Sequence, residues 1–172
     1  MDTQKSATLP YILKSMMLGN LNLAHLIYIC SNLRQSDKDE VFATRDDTSP
    51  EELACSIFSR RDSGVAWIAY SKTGVPVAAF GAYRQCGSLW GLWMMATNDW
   101  KEVARGVTKF GIKFVMPFLL ERMGMKYGHC ISSADNQAAH RWIARLGGHP
   151  DSGLTHWGKN GEDFIRFIWV AQ

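Results

Sequence analysis

The sequence lacks the features that mark nucleic-acid-binding, membrane-spanning and repeat proteins. Its longest basic run is Arg60-Arg61 and its net charge is only +3, so charge gives no reason to expect a nucleic-acid partner. No apolar run approaches the roughly 18 residues that a membrane-spanning helix needs, and the N-terminus shows no basic and apolar signal sequence. There is no internal repeat, linker or low-complexity segment. We therefore expect a soluble domain with neither a membrane nor a nucleic-acid partner.

Paired cysteines and metal-binding motifs are also missing. The four cysteines are far apart and form no C-x-x-C pair, and no two of the five histidines have the spacing of metal ligands. We therefore expect no disulfide framework and no metal site, but reduced, buried thiols in a cytoplasmic protein. The cysteines are Cys30, Cys55, Cys86 and Cys130.

What the sequence does contain is typical of one globular domain. Apolar residues make up 47% of the 172 residues and charged residues 20%, which is enough apolar material for a sizeable core. The seven tryptophans and eight methionines are interpreted first as core residues. We predict a single domain over residues 1–172, with a loose start at 1–8.

Hydrophobic periodicity and turn residues predict an α/β fold with a mixed, mostly antiparallel sheet and helices on both faces. Ser49 and Pro50 indicate where one helix starts. Asp37 lies on or beside the apolar side of the first predicted helix, which is unusual for a carboxylate. In chain order we predict a strand at 9–14, a helix at 22–41, a helix from Ser49, a hairpin of 64–70 and 75–83, a strand at 88–97, a helix at 101–123 with a kink at Pro117, a strand at 127–134, a helix ending at Gly147-Gly148 and a hairpin of 155–157 and 164–170.

The segment 127–148 resembles the second half of the GCN5-related N-acetyltransferase (GNAT) domain. In that family a strand leads into a helix that begins at Asn and ends in Leu-Gly. Here Asn136 is followed by Ala139 and by Leu146-Gly147 at the corresponding spacing. The order of the upstream elements also matches, so the resemblance covers nearly the whole chain and implies a single GNAT-like acyltransferase domain.

A narrower resemblance is to the GNAT-like proteins encoded among the virion-assembly genes of short-tailed bacteriophages. The segment 33–41 (Leu-Arg-Gln-Ser-Asp-Lys-Asp-Glu-Val) is similar to that family's Leu/Met-Arg-x-x-Asp-x-x-Glu-Val pattern. Phe80-Gly81-Ala82 and the strand end from Trp93 to Thr97 fit it as well. This resemblance implies a phage protein in the host cytoplasm, with association with the virion as a second implied location.

The GNAT resemblance implies an acetyl-CoA site at the end of the fourth strand. In GNAT enzymes backbone groups there pair with the pantetheine arm, and the N-terminus of the next helix holds the pyrophosphate. Here the phosphate loop falls at 104–111, where only an Arg and two Gly remain of the family's Gln/Arg-x-x-Gly-x-Gly/Ala pattern. Lys109 and Lys113 either supply charge or are simply solvated, and Asn136 either contacts the cofactor or caps its helix. The implied cofactor-binding residues are Trp93, Met94, Met95, Ala96, Arg105, Gly106, Thr108, Lys109 and Asn136.

The two commonest catalytic positions of the family are empty in this sequence. The tyrosine that protonates the CoA thiolate is replaced by Ile143, and the strand 88–97 contains no glutamate that would act as base. Asp37 and Glu40 lie where GNAT folds often contact the acceptor. They either bind or deprotonate an amine, or Asp37 simply pairs with Arg34 on the helix.

Two residues of the strand before Asn136 are further catalytic candidates. His129 titrates near neutrality and is either a base or a structural histidine. Ser132 lies on the same strand, and we expect either side chain to face the splayed centre of the sheet. His140 is expected on the solvent side of its helix and is discounted.

Three functions remain open at this point. The first is acetyl-CoA-dependent N-acetyl transfer to a protein or small amine. The second is a GNAT-fold protein without catalysis that acts in virion assembly through phage or host protein partners. This second reading explains the empty catalytic positions and the eroded loop together. The third is a CoA-binding sensor without turnover.

Overall fold

The computed structural model describes residues 17–151, 153 and 155–171. The strand predicted at 9–14 and the loose start at 1–8 lie outside this part of the chain. The helices are α1 (Leu23–Ser31), α2 (Gln35–Ala43), α3 (Pro50–Phe58), α4 (Trp100–Phe110) and α5 (Gln137–Arg145). The strands are β1 (Met17–Asn20), β2 (Gly64–Tyr70), β3 (Pro76–Cys86), β4 (Leu89–Ala96), β5 (Tyr127–Ser133), β6 (His149–Pro150), β7 (Thr155–His156) and β8 (Asp163–Val170).

The strands form one mixed sheet in the order β1-β2-β3-β4-β5-β8-β6, and β7 also pairs with β8. Paired strands are antiparallel except β4 and β5, which are parallel because α4 crosses over between them. α1 and α3 pack on one face of the sheet, and α4 and α5 pack on the other. The prediction of a single α/β domain with a mixed, mostly antiparallel sheet and helices on both faces is confirmed.

The central strand β4 contributes to a hydrophobic core on each face of the sheet. Because side chains alternate along a strand, Trp90 packs in the core beneath α4 and Met95 packs in the core beneath α1 and α3. Their exposed fractions are only 1% and 4%. The interpretation of tryptophan and methionine as core residues therefore holds for both.

The four cysteines are free thiols, as expected, but they are not all buried. Cys30 is buried in the core beneath α1. Cys55 and Cys86 are exposed, so the prediction of buried thiols is wrong for these two. The reason is local, because Cys55 lies on the outer side of α3 and Cys86 lies at the exposed end of β3.

Short-range capping signals predicted several element ends correctly. The hydroxyl of Ser49 accepts a hydrogen bond from the amide of Glu52 at 3.2 Å and caps α3. Gly147 has φ +86°, the left-handed conformation that glycine adopts without strain, and it follows the end of α5.

The helix predicted at 22–41 is two helices in the structure. The chain leaves helical geometry after Ser31, and Leu33 then forms a bridge with Thr97 at the end of β4. The amide of Arg34 donates to the carbonyl of Ala96 at 3.0 Å. The apolar residues keep helical spacing across this break, so the sequence pattern alone predicts one helix. Hydrogen bonding to a distant strand overrides that local preference.

The helix predicted at 101–123 is regular only over α4. Two π-helical turns follow, at Gly111–Val115 and Phe118–Arg122, and they flank Pro117. Because proline has no amide hydrogen, one α-helical hydrogen bond is lost at this position, and wider turns take up the irregularity. The predicted disturbance at Pro117 therefore takes the form of two π-helical turns.

Candidate active site

A gap opens between β4 and β5 at the centre of the sheet. The parallel ladder joins only Leu89–Gly91 to Tyr127–His129, and the two strands are unpaired beyond it. The amide of Thr97 donates to β3 at 2.8 Å. Because backbone groups alternate between the two edges of a strand, the peptide groups of Met94 and Ala96 face the gap.

The far end of this gap is closed by the start of α2. The carbonyl of Ala96 accepts a hydrogen bond from the amide of Arg34, and the amide of Ala96 donates to Oδ2 of Asp37 at 2.8 Å. The peptide group of Met94 lies between the ladder and this closed end, and it has no strand partner on the β5 side among the described residues. It is therefore free to pair with a ligand.

Glu40 stands at the gap and contacts the opposite strand. Its Oε2 accepts hydrogen bonds from Oγ of Ser132 and the amide of Ser133, both at 3.1 Å, and from Nδ2 of Asn136 at 2.9 Å. Its Oε1 has no hydrogen-bond partner within the described ranges. Burial raises the pKa of Glu40, the three hydrogen bonds oppose that rise, and the nearby charge of Asp37 adds to it.

Asp37 differs from Glu40 because both of its oxygens are engaged. Oδ1 accepts from Nε of Arg34 at 2.6 Å and from the hydroxyl of Ser36, while Oδ2 accepts from Ala96. Asp37 is buried, with 6% of the residue exposed. Burial raises the pKa of Asp37 and the charge of Arg34 opposes this. The ion pair between Asp37 and Arg34, one of the two alternatives given for Asp37, is present.

A cavity of about 830 Å³ is lined from both faces of the sheet and includes the gap. On one face its wall comes from α3, for example Ile57, and on the other from α4 and α5, for example Val107. Cys130 of β5 also lines the cavity, and burial raises the pKa of its thiol to about 12, so the thiol is neutral. The predicted residues that line the cavity are Asp37, Glu40, Trp93, Met94, Met95, Ser132 and Asn136.

A second pocket, of about 410 Å³, lies between α4 and α5. It contains three of the predicted cofactor residues, Arg105, Thr108 and Lys109, together with Arg141 and Arg145 of α5. None of the four cations forms an ion pair within the described residues. Sequence reasoning missed the two arginines of α5, although their spacing of four residues places them on one face of a helix.

The pocket between α4 and α5 is held in shape by a tryptophan. Nε1 of Trp142 donates to Oγ1 of Thr108 at 2.9 Å, and that hydroxyl donates to the carbonyl of Ala104 at 2.6 Å. The ring of Trp100 packs edge-on against Trp142, with the ring centres 5.9 Å apart. The hydroxyl of Thr108 is thus engaged on both sides.

The phosphate loop predicted at 104–111 is not a loop. α4 begins at Trp100, so this segment lies within the helix, and Gly106 is buried on its inner side. Its backbone amides are therefore part of a helix interior and do not form an anion-binding turn. The connection that follows β4 is the short turn at 97–99.

The structure separates His129 from the other catalytic candidates. His129 and Ser132 are three residues apart on β5, so their side chains point to opposite faces. Nε2 of His129 lies 2.9 Å from Oε1 of Gln85, and burial together with the charge of Arg166 lowers its pKa. His129 does not line the cavity, which favours the structural alternative for this residue.

Two further predictions concern α5. Asn136 caps the helix, because its Oδ1 accepts from the amide of Ala139 at 3.2 Å, while its Nδ2 contacts Glu40. The prediction that His140 lies on the solvent side of α5 is wrong. His140 is half-buried, with Nε2 2.9 Å from the carbonyl of Ser133 and its ring against Phe167. Ile143, at the position of the family's tyrosine, is buried in the core with 5% exposure.

Comparison with solved structures identifies the fold. The spermidine N-acetyltransferase from Vibrio cholerae, solved in complex with CoA and spermine, is 8% identical and superimposes with a TM-score of 0.67 over 92% of this chain and 96% of its own. The ribosomal-protein-S5-alanine acetyltransferase from Vibrio fischeri is 9% identical, with a TM-score of 0.65 over 95% of this chain and 97% of its own. This chain therefore has the fold of the GNAT acetyltransferases.

The fold has clear matches among solved structures, whereas the comparisons by sequence gave none. No protein-family model and no curated protein sequence matches this chain. None of the described helices is long and apolar enough to cross a membrane.

Proposed function

We propose that this protein binds acetyl-CoA in the gap between β4 and β5 and transfers the acetyl group to an amine, with Glu40 as the proton acceptor. One observation carries this proposal. Glu40 is anchored through Oε2 by three donors, while its Oε1 has no partner among the described residues and its side chain lines a cavity that includes the gap. A carboxylate that is fixed on one side and free on the other suits general base catalysis.

The residues around the gap fit the pantetheine arm of CoA. Acetyl-CoA would supply the acetyl group as an activated thioester: the amine nitrogen bonds to the acetyl carbon, the C–S bond breaks, and CoA leaves as a thiolate that takes a proton from solvent. The peptide group of Met94, which has no strand partner on this side within the described ranges, would pair with the arm as a neighbouring strand does. Glu40 would take the proton that the attacking amine loses, and its raised pKa brings it closer to the operating pH.

The four cations between α4 and α5, which form no ion pair with any described residue, suit the phosphate groups of CoA. Arg105 and Lys109 come from α4, and Arg141 and Arg145 come from α5. A guanidinium group can donate two parallel hydrogen bonds to the oxygens of one phosphate, so these arginines favour an anion in the pocket. These side chains would bind the phosphate groups, which GNAT enzymes bind with a glycine-rich loop.

The acceptor we propose is a small amine or a protein amine. The neighbouring Vibrio cholerae structure contains CoA and spermine, which supports an amine as the acceptor class. From the resemblance of segment 33–41, we further propose a phage-encoded protein that works in the host cytoplasm.

A non-catalytic role in virion assembly is the second candidate, and a specific observation favours it. The peptide group of Ala96, at the strand end that GNAT enzymes use for the cofactor, is already engaged by Arg34 and Asp37. Ile143 is buried where the family's general acid stands. In this case the protein acts through contacts with phage or host proteins, and some of it is carried in the virion.

Calorimetric titration with acetyl-CoA and with desulfo-CoA tests the proposal. We expect both to bind, and we expect the double variant Arg141→Glu/Arg145→Glu to bind at least about tenfold more weakly because it reverses the charge of the phosphate pocket. The matched control is Arg122→Glu/Lys126→Glu, whose side chains are exposed and do not line either pocket.

Three results of the titration separate the candidate functions. Binding together with thiol release in the presence of amines supports the transferase. Binding without thiol release over a panel of amines indicates the CoA sensor. No binding at millimolar acetyl-CoA overturns the proposal and leaves the assembly role.

A further inference from the structure

α2 connects the two strands that the gap separates. Asp37 accepts a hydrogen bond from the backbone amide of Ala96 on β4. Glu40 lies one helical turn later and accepts a hydrogen bond from the backbone amide of Ser133 on β5. In an unbroken sheet such amides pair with the neighbouring strand. Here two carboxylates of one helix take both of them.

Polar contacts, more than an apolar face, hold α2 in place. Its buried residues are Asp37, Phe42 and Ala43, and most of its other side chains are exposed. At its C-terminal end, the carbonyl of Ala43 accepts from the backbone amide of Lys159, in the loop before β8, at 2.7 Å. A short helix with so small an apolar face depends on its hydrogen bonds for its position.

We propose that α2 is a strap that replaces the missing ladder between β4 and β5, with Arg34 and Asp37 as positioning residues that hold Glu40 at the gap. The catalytic consequence rests on the proposed function of Glu40, whereas the strap itself does not. Arg34 contributes twice, because its backbone amide binds Ala96 and its side chain binds Asp37.

A strap predicts that its two ends are coupled. If α2 holds both strands as one body, releasing it from β4 also releases it from β5, although Ala96 and Ser133 belong to different strands. If the two hydrogen bonds are independent, each substitution affects only the amide that it contacts. Amide hydrogen exchange, followed by NMR at single residues, distinguishes the two cases.

The experiment uses Asp37→Ala and Glu40→Ala in the full chain. We expect Asp37→Ala to speed exchange of the Ser133 amide by at least about tenfold, and Glu40→Ala to do the same for the Ala96 amide. The control is Asp39→Ala on the same helix, since Asp39 is exposed and its side chain accepts a hydrogen bond from Gln35, one turn earlier on α2 itself. It should change neither amide.

Uncoupled exchange overturns the strap: Asp37→Ala would then speed exchange at Ala96 only, and Glu40→Ala at Ser133 only. The milder variant Asp37→Asn covers the case in which Asp37→Ala does not fold. Asparagine keeps only one of the two oxygens, so the contacts with Arg34 and with Ala96 cannot both be kept. A strap therefore predicts faster exchange at Ser133 again, and an unchanged rate contradicts it.

The exchange test needs no ligand, so its outcome is independent of whether acetyl-CoA binds. If the protein transfers acetyl groups, we expect Asp37→Asn to lower kcat by about tenfold, because α2 then positions Glu40 less firmly at the gap. The KM for acetyl-CoA should stay within about twofold, since the phosphate pocket is untouched. A kcat equal to that of Asp39→Asn would contradict the positioning role.

Discussion

Replacing Glu40 with glutamine is expected to lower kcat for acetyl transfer by about a hundredfold to ten-thousandfold, the usual contribution of a general base. The amide oxygen of glutamine still accepts from Ser132, Ser133 and Asn136, so the side chain stays anchored. The group that faces the cavity becomes an amide, which does not take a proton from an amine. Steady-state kinetics with the best amine of a panel measures the effect.

The same substitution should not destabilise the fold. Burial raises the pKa of Glu40, so the folded state disfavours its charged form. The stability associated with this raised pKa is fully present below the unfolded pKa and is lost as the pH rises through the folded pKa. At neutral pH the neutral glutamine avoids this loss, and we expect a melting temperature equal to or above that of the original protein. Asp39→Asn is the control, and unchanged kcat in Glu40→Gln would rule out the proposed base.

Replacing Asn136 with aspartate is expected to destabilise the protein by about 2 kcal/mol at neutral pH, because a donor to Glu40 becomes a second carboxylate. The new side chain still caps α5 through its oxygen, so the capping contribution is retained. For a chain of this size the loss corresponds to a fall in melting temperature of roughly 6 °C, measurable by thermal unfolding.

The pH dependence of this variant identifies the cause. Two neighbouring carboxylates raise each other's pKa, and protonation of one relieves the repulsion, so the deficit should shrink as the pH falls from neutral toward about pH 5. Asn136→Ser is the matched control, since serine also caps a helix but adds no charge. We expect it to lose about 1 kcal/mol with little pH dependence. Equal deficits for the two variants at every pH would show that Glu40 does not sense the charge at position 136.

Elements whose ends depend on neighbouring residues could be predicted from the sequence. Ser49 caps α3 and Gly147 ends α5 because capping needs only a few residues and a suitable φ. The hairpin of β2 and β3 follows from two apolar segments around a glycine turn. Local chemistry was sufficient at these places, and the fold class follows from their order.

Features that depend on contacts between distant segments could not be predicted in the same way. The break between α1 and α2 arises from pairing of Leu33 with Thr97, which no helical pattern reveals. The phosphate loop was expected at 104–111 from the family resemblance, although the helical pattern already placed these residues in a helix, and the structure follows the helical pattern. The side of α5 on which His140 lies was predicted wrongly. Its side chain contacts the ring of Phe167 and the carbonyl of Ser133, and both belong to other elements that the helical pattern does not include.

For the candidate site, the sequence by itself determined which groups are available: Asp37 and Glu40 one helical turn apart, an Asn at the start of α5, and an isoleucine in place of the expected tyrosine. Only the tertiary structure decided their roles. Both oxygens of Asp37 accept hydrogen bonds, Oε1 of Glu40 has no partner in the part of the chain that the structure describes, and His129 lies on the other face of β5. The reason is that helical spacing is a local property. The hydrogen bonds that Ser132 and Asn136 donate to Glu40 join residues more than ninety positions apart and exist only once the sheet has formed.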